Sequence, residues 1–269
     1  MKKGLALLSK DVKIKKEEIF NLYKEPMVMN VKIYKDANAI GVAAASIFAG
    51  QVIAKPDSVL GLATGSSPIP TYRCLIEWYK NGTLDFSKVT TFNLDEYIGL
   101  GHDHPQSYYY FMQENLFHGI NVPSEKIHVP CGTADDIDSE GKHYDEMIAE
   151  AGGIDVQILG IGNNGHIAFN EPCDDFPMGT HKVALTQSTI DANTRFFESS
   201  DEVPRYAISM GIGSIMKARQ IILVATGSAK AQAVHDMVKG PVTPQCPASV
   251  LQLHPNVTIF ADEAAAALL

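Results

Sequence analysis

Apolar strand-like runs alternate with amphipathic helix-like runs along the chain from Val31 onward. Short runs that are largely apolar are typical of strands covered on both faces, and the sequence contains six of them. The predicted strands are Ser58 to Ala63, Val89 to Leu94, Lys126 to Val129, Val156 to Ile161, Gln220 to Ala225 and Val257 to Ala261. The third run is the weakest signal because it is short and half polar.

Helical patterns lie between most of these strands. They cover about Ala37 to Ala54, Pro68 to Asn81, Pro105 to Phe117, Ser139 to Ala151 and Ser228 to Val238. Strands that alternate with helices predict an α/β fold with a doubly wound, mostly parallel, Rossmann-like sheet and helices on both faces. Because ligands of such sheets bind at the carboxyl ends of the strands, functional residues are expected directly after the strands.

Residues 1–28 differ from the rest of the chain. They are lysine-rich and show no core pattern apart from a short helical one at Glu17 to Tyr23. We expect an N-terminal extension, disordered or lightly docked, followed by a single catalytic α/β domain over residues 29–269. The apolar start is too short for a signal peptide, and no run of 18 apolar residues predicts a membrane-spanning helix.

Composition narrows the functional classes. The 269 residues are 45% hydrophobic, enough for a sizeable core, and carry a net charge of −9. This acidic balance argues against nucleic-acid or membrane partners, so a small-molecule ligand is expected. The four cysteines are widely spaced, without a C-x-x-C pair. They favour a reducing, cytoplasmic location over a disulfide framework or a zinc cage, and we expect no metal.

The turn after the first predicted strand is a candidate anion site. It reads Thr64-Gly65-Ser66-Ser67-Pro68 and leads into a predicted helix. We expect Ser67 to cap this helix and Pro68 to be its first residue. Free N–H groups at a helix start attract anions, and Gly65 lets the backbone approach a ligand. A capped turn without a ligand explains the same residues.

Two cations are candidates to join that site. Lys230 falls in the first turn of the last predicted helix, where a cation is unfavourable for the helix dipole unless an anion is bound. Arg195 stands beside Phe196 and Phe197 and offers a two-pronged donor for phosphate. An exposed lysine without function and an arginine in a structural ion pair remain alternatives.

Asp95 and Glu96 directly follow the second predicted strand. Adjacent carboxylates at such a place are costly unless they are solvated or used. Neighbouring side chains on an extended chain point in different directions, so the two do not share a proton. We expect Asp95 to face the crevice as a general base and Glu96 to make a structural contact.

A glycine-rich loop follows the fourth predicted strand. It contains His166, with Asn164 and Glu171 as residues that can orient the imidazole. The loop also matches G-x-G-x-x-G, but a dinucleotide site would need a helix next and an acidic residue about 20 positions on, and neither follows. A hydrolytic zinc deaminase would need H-x-E and P-C-x-x-C motifs, which are absent.

Taken together, the motifs resemble the glucosamine-6-phosphate deaminase family of glucosamine/galactosamine-6-phosphate isomerases. The matching segments are LATGSSPIPTY, TFNLDEYIGL, GIGNNGHIAFNEP, NTRFF, ATGSAKAQAV and LQLHP, in the family's order, over roughly Val31 to Asp262. The resemblance implies a cofactor-independent, isomerising hydrolase of amino-sugar metabolism and N-acetylglucosamine catabolism. Its substrate would be glucosamine 6-phosphate, and its products fructose 6-phosphate and ammonia.

The resemblance also implies a role for each candidate residue. His166, oriented by Asn164 and Glu171, would open the sugar ring. Asp95 would take the proton from C2 and return one to C1. The residues that would hold the phosphate are Thr64, Gly65, Ser66, Ser67, Arg195 and Lys230.

Three departures from the family pattern modify these expectations. Many relatives have Asp in place of Asn164; Asn can orient the imidazole but cannot stabilise its cation, although Glu171 can compensate. The stretch Met178 to Val183 matches the basic residues of allosteric relatives poorly, so weak or absent activation by an N-acetylated sugar phosphate is expected. The chain ends at Leu269, soon after the last strand, which favours a monomer or small homo-oligomer.

Two alternatives stay open. The 6-phosphogluconolactonases share a G-x-x-G-H loop, but they typically continue H-x-A-S-L-F-P and have DER where this chain has DEY. A sugar-phosphate-sensing domain of a transcription regulator would bind ligand without turnover. The 28-residue extension is too short for a helix-turn-helix domain, and the retained Asp95 and His166 favour catalysis.

Overall fold

The computed structural model describes residues 29–194, 197, 199 and 202–269. The predicted N-terminal extension and Arg195 lie outside these residues. The strands are β1 Asn30–Tyr34, β2 Val59–Leu62, β3 Thr90–Asn93, β4 Asp95–Tyr97, β5 Ile127–His128, β6 Val156–Leu159, β7 His181–Ala184, β8 Tyr206–Ser209, β9 Gln220–Ala225 and β10 Val257–Asp262. The α-helices are α1 Ala37–Ala54, α2 Ile69–Lys80, α3 Tyr108–Asn115, α4 Ile137–Glu150, α5 Gln187–Asn193, α6 Ile212–Ile215 and α7 Ala231–Lys239.

Seven parallel strands form the main sheet, in the order β1-β10-β9-β6-β2-β3-β5. The predicted α/β fold with a mostly parallel sheet is therefore confirmed. The chain runs outward from β2 to β3 and β5, then returns to the other side of β2 as β6. Such a reversal opens a crevice at the carboxyl ends of the two central strands, which is where a ligand can enter.

A second, three-stranded antiparallel sheet joins the edge of that crevice, in the order β4-β8-β7. It is tied to the main sheet through Leu94, whose N–H donates to Leu62 O and whose carbonyl accepts from Met210 N–H. Asp95 begins β4 and pairs with Ser209 of β8. Asp95 therefore lies just beyond the carboxyl end of β3, on a strand rather than in a loop.

The helices cover the main sheet and bury large side chains against it. Tyr72, Phe48 and Phe92 are among the largest fully buried residues. Burying a side chain of this size removes enough apolar surface from water to contribute roughly 2 kcal/mol or more. The hydroxyl of buried Tyr144 donates to the carbonyl of Asn93, which satisfies its polar end at the crevice side of β3. The core thereby supplies a rigid base for the loops above it.

Helix α1 is long and apolar enough to cross a membrane by length and composition alone. It is capped by Asp36, whose carboxylate accepts the N–H of Ala39 at 2.8 Å. One side of the helix, including Ile40, Phe48 and Val52, is buried in the main core. The core helix of a soluble protein meets the same criterion, so this helix is weak support for a membrane span.

Candidate active site

A cavity of about 560 Å³ opens at the carboxyl edge of the main sheet, beside β2 and β6. Segments that follow four different strands contribute to its wall, as expected for this fold. Eight of the ten predicted site residues line it: Thr64, Gly65, Ser66, Ser67, Asp95, Asn164, His166 and Lys230. Glu171 contacts His166 beside the cavity, and Arg195 lies outside the described residues.

The turn between β2 and α2 forms one side of the cavity. Gly65 has a φ of +87°, a left-handed conformation that side chains rarely adopt. The prediction that Ser67 caps α2 is wrong, because the helix begins at Ile69 after Pro68, and no side chain caps it. Pro68 already has helical backbone angles, which moves the cap position past Ser67. Among the described residues, no side-chain acceptor caps this helix start, so its backbone donors and dipole are available to an anion.

Lys230 faces the same cavity from a 3₁₀ turn that leads into α7. The turn is anchored at Gly227, whose N–H donates to both carboxylate oxygens of Asp262, at 2.9 and 3.1 Å. Burial lowers the pKa of Lys230, because the ammonium group loses part of its water shell. A bound anion would replace the lost solvation, so this position suits a phosphate group.

Asp95 and Glu96 point to different places, as predicted. Asp95 lines the cavity and is only 6% exposed, and burial raises its pKa to about 8, with a further upward contribution from the Glu96 carboxylate. Glu96 is fully buried and accepts hydrogen bonds from the N–H groups of Tyr97, Tyr108 and Tyr109 at 2.8–2.9 Å. Asp95 is thus positioned for proton transfer, and Glu96 makes the structural contact.

His166 forms the opposite acid–base group with Glu171 and Asn164. Its Nδ1 atom lies 3.3 Å from Glu171 Oε2, at ion-pair distance without hydrogen-bond alignment. Nδ1 is shielded from solvent, so Nε2 is the ring nitrogen that can serve a ligand in the cavity. The Asn164 side chain donates to Glu171 Oε2 at 2.6 Å and accepts the His166 N–H at 3.2 Å.

Glu171 has further partners that the sequence analysis missed. Thr189 of α5 lines the cavity and donates to Glu171 Oε1 at 2.5 Å, and Thr186 donates to the same oxygen at 3.3 Å. Burial alone would raise the pKa of Glu171, but its contacts with His166, Thr189 and Asn164 lower it to about 2. Glu171 therefore stays ionised beside the imidazole. The N-cap residue Thr186 was the available sequence signal for this short helix.

In the loop that carries His166, residues 160–166, close packing requires glycine at position 162. A Cβ atom on Gly162 would lie 2.3 Å from the imidazole of His166, so any larger residue would displace the ring. Ala168, two residues after His166, has a φ of +51°, which is unfavourable for a residue with a side chain. Gly162 and Ala168 both line the cavity.

The cavity also has an aromatic wall that the sequence analysis did not assign. Tyr108 stacks on Phe169 with ring centroids 5.9 Å apart, and both line the cavity. Among the described residues, no group of three or more His, Cys, Asp or Glu side chains is arranged to hold a metal ion. The residues present are suited to hold an anion and to transfer protons within one cavity.

A doubly wound sheet that places a helix start, a buried carboxylate and a histidine–carboxylate pair around one cavity is the arrangement expected of an enzyme that acts on a phosphorylated sugar. The chain belongs to the family described as glucosamine-6-phosphate isomerases/6-phosphogluconolactonase, whose model matches residues 37–260.

Comparisons with individual proteins give the same family. A glucosamine-6-phosphate deaminase of Thermoanaerobacter pseudethanolicus is 55% identical over 241 residues, 90% of this chain and 95% of that protein. The deaminase of Lachnoclostridium phytofermentans is also 55% identical, over 87% of this chain and 98% of its own length. A solved structure of a monomeric glucosamine-6-phosphate deaminase matches with a TM-score of 0.87 and 42% identity, over 90% of this chain and 100% of the other.

A 6-phosphogluconolactonase from Trypanosoma cruzi matches more distantly. Its TM-score is 0.71 at 18% identity, over 90% of this chain and 97% of the other. At this identity the likeness concerns the fold alone.

Proposed function

We infer that the chain is a glucosamine-6-phosphate deaminase, which converts glucosamine 6-phosphate to fructose 6-phosphate and ammonia. One observation carries this inference: Asp95 and the His166–Glu171 pair meet an uncapped helix start in a single cavity. The chain that builds this cavity is 55% identical to curated deaminases over most of its length.

The phosphate of the substrate would bind at the turn between β2 and α2. The turn offers backbone N–H groups and hydroxyls from Thr64, Gly65, Ser66 and Ser67, and Lys230 offers a cation in the same cavity. Arg195 is proposed as a further phosphate ligand on its sequence motif alone. Holding the non-reacting phosphate fixes the reacting carbons relative to the acid and base groups.

His166 would open the sugar ring by moving a proton between the ring oxygen and the anomeric hydroxyl. The contact with the ionised Glu171 supports this role, because it stabilises the imidazolium that forms when His166 accepts a proton. Asn164, which bonds to both the backbone of His166 and the carboxylate of Glu171, would keep these two residues next to each other.

Asp95 would act on the open-chain aldose as the base that removes the C2 proton. Removal of this proton forms a C1–C2 double bond while the aldehyde oxygen takes up a proton, which gives an enolamine. Returning a proton to C1 of the enolamine leaves an iminium carbon at C2. Water adds to this carbon, and the C2–N bond breaks to release ammonia and the ketose. Burial raises the pKa of Asp95 to about 8, close to neutral pH, and a general base is most effective when its pKa lies near the pH at which the enzyme works. This sequence uses only proton transfers and water, and we propose that no cofactor takes part.

We further propose that the protein is a cytoplasmic hydrolase of N-acetylglucosamine catabolism, acting as a monomer or small homo-oligomer. The likeness to a solved monomeric deaminase supports the monomer. Activation by an N-acetylated sugar phosphate is expected to be weak or absent.

The test compares two substrates with one preparation of protein. Glucosamine 6-phosphate should be converted with release of ammonia, and 6-phosphogluconolactone should be hydrolysed no faster than in buffer. Lactone hydrolysis without ammonia release would assign the lactonase function instead. Binding of glucosamine 6-phosphate without any turnover would indicate the sensing domain.

A further inference from the structure

Glu96 is a buried carboxylate that the proposed reaction does not use. Its Oε1 atom accepts the N–H groups of Tyr97 and Tyr108, each at 2.8 Å, and its Oε2 atom accepts the N–H of Tyr109 at 2.9 Å. Two of these donors belong to the first turn of α3, and the third lies on β4. The side chain therefore fastens the start of α3 to the strand that carries Asp95.

This contact determines the position of part of the cavity wall. Tyr108 lines the cavity together with Asp95, and its ring packs 4.7 Å from that of Tyr97, measured between centroids. Because Glu96 binds the backbone of Tyr97 and Tyr108, it fixes the distance between the base and this aromatic wall. A shift of about 1 Å at such a wall can lower turnover by roughly 10²-fold.

The charge of Glu96 acts on Asp95 as well. Successive side chains of a strand lie on opposite faces, so the two carboxylates are close without sharing a proton. Burial raises the pKa of Glu96 to about 7, but three N–H donors and the N-terminal end of α3 oppose this rise, so Glu96 loses its proton before Asp95, whose pKa is about 8. The charge of the pair then resides on Glu96, and its repulsion adds to the burial that raises the pKa of Asp95.

The other titratable groups around Asp95 leave this repulsion in place. Buried Tyr97, Tyr108 and Tyr144 lie within electrostatic range of Asp95, and burial raises the pKa of each, so they are neutral near pH 7. His166 and Lys230 also line the cavity, but the electrostatic contribution to the raised pKa of Asp95 comes from Glu96.

We propose that Glu96 is a positioning residue of the deaminase reaction, which holds Asp95 and Tyr108 in place and sets the pH at which Asp95 becomes a base. This inference rests on the proposed function.

The experiment measures the pH profile of kcat/KM for ammonia release by Glu96→Gln and Glu96→Asp. The Gln side chain loses the charge, so the acid limb should move down by about one pH unit or more. The Asp side chain keeps the charge but is too short to reach α3. It should leave the acid limb in place and lower kcat/KM.

Asp145→Asn is the matched control. Asp145 of α4 is also a structural carboxylate, which accepts hydrogen bonds from Thr180 and Ser214 away from the cavity. This variant should be less stable without any shift of the pH profile. An acid limb that coincides in Glu96→Gln and wild type would overturn the inference.

The wild-type protein distinguishes a failure of the proposed function from a failure of the inference about Glu96. If it releases no ammonia, the proposed function is wrong. If it is active but its acid limb lies near pH 4, the ordinary range of a carboxylate, Glu96 does not tune Asp95. This reading does not depend on whether Glu96→Gln folds.

Discussion

The Nδ2 atom of Asn164 donates a hydrogen bond of 2.6 Å to Oε2 of Glu171. An amide can make this bond, whereas an aspartate in the same conformation would bring two carboxylates together at that distance. The asparagine that departs from the pattern of many relatives is therefore suited to this site. It lets Glu171 remain ionised beside His166.

Asn164→Asp is expected to destabilise the protein at pH 7. Replacing this partly buried hydrogen bond with a like-charge contact should lower the free energy of unfolding by about 0.5–1.5 kcal/mol. Urea unfolding of the variant and of wild type measures this difference. Equal or greater stability in the variant would show that the side chain turns away from Glu171.

Glu171 should make stability depend on acid pH. Its pKa in the folded protein is about 2, compared with an ordinary value of 4.5. Its contribution is therefore present above about pH 4.5 and is lost as the pH falls towards 2, a change of roughly 3 kcal/mol. Unfolding measured at pH 7 and pH 3 should show a smaller loss in Glu171→Gln than in wild type. The exposed control Glu114→Gln should behave like wild type.

Lys230→Ala should weaken substrate binding more than it slows the chemistry. Lys230 would contact the phosphate, which does not react, so KM should rise about tenfold or more while kcat changes less. Lys239→Ala, at the exposed C-terminal end of α7, is the control and should leave both constants unchanged. An effect of Lys230→Ala confined to kcat would contradict the phosphate role.

Ala168→Gly should be tolerated or stabilising. Ala168 has a φ of +51°, and glycine adopts this conformation without the cost of about 1–2 kcal/mol that a Cβ atom imposes. The gain is partly offset by the greater freedom of glycine in the unfolded chain. Thermal unfolding should give an equal or higher Tm for Ala168→Gly and a lower Tm for Ala168→Val. A marked loss of stability in the glycine variant would show that the Ala168 methyl group makes a needed contact.

The main sheet was predictable because its inner strands are apolar on both faces. Runs such as Gln220 to Ala225 have the same bounds in the structure as in the prediction, and all six predicted strands and five predicted helices are present. Strand β1 was missed because it lies at the sheet edge, where three of its five residues are exposed and none is buried. Strands β4 and β7 were missed because at least half of their residues are polar, and β8 was missed although it is as long as β2 and β6.

The candidate site was predictable to the extent that its residues follow strands. Asp95, His166 and Lys230 come from distant parts of the sequence, and the rule that parallel strands end at one edge was enough to bring them together. Thr189 could not be predicted this way, because it reaches the cavity on a short helix outside the alternating pattern. The hydrogen bonds between Glu96 and α3 depend on where α3 lies relative to β4, and no local sequence pattern predicts that position.

The most direct test of the account is ammonia release from glucosamine 6-phosphate by wild type and Asp95→Asn in the presence of a metal chelator. We predict chelator-resistant release by wild type and a rate at least about 10²-fold lower for Asp95→Asn, with binding of the sugar phosphate retained. Release by Asp95→Asn at the wild-type rate would contradict the role of Asp95 as the base. The absence of ammonia from wild type would contradict the deaminase function itself.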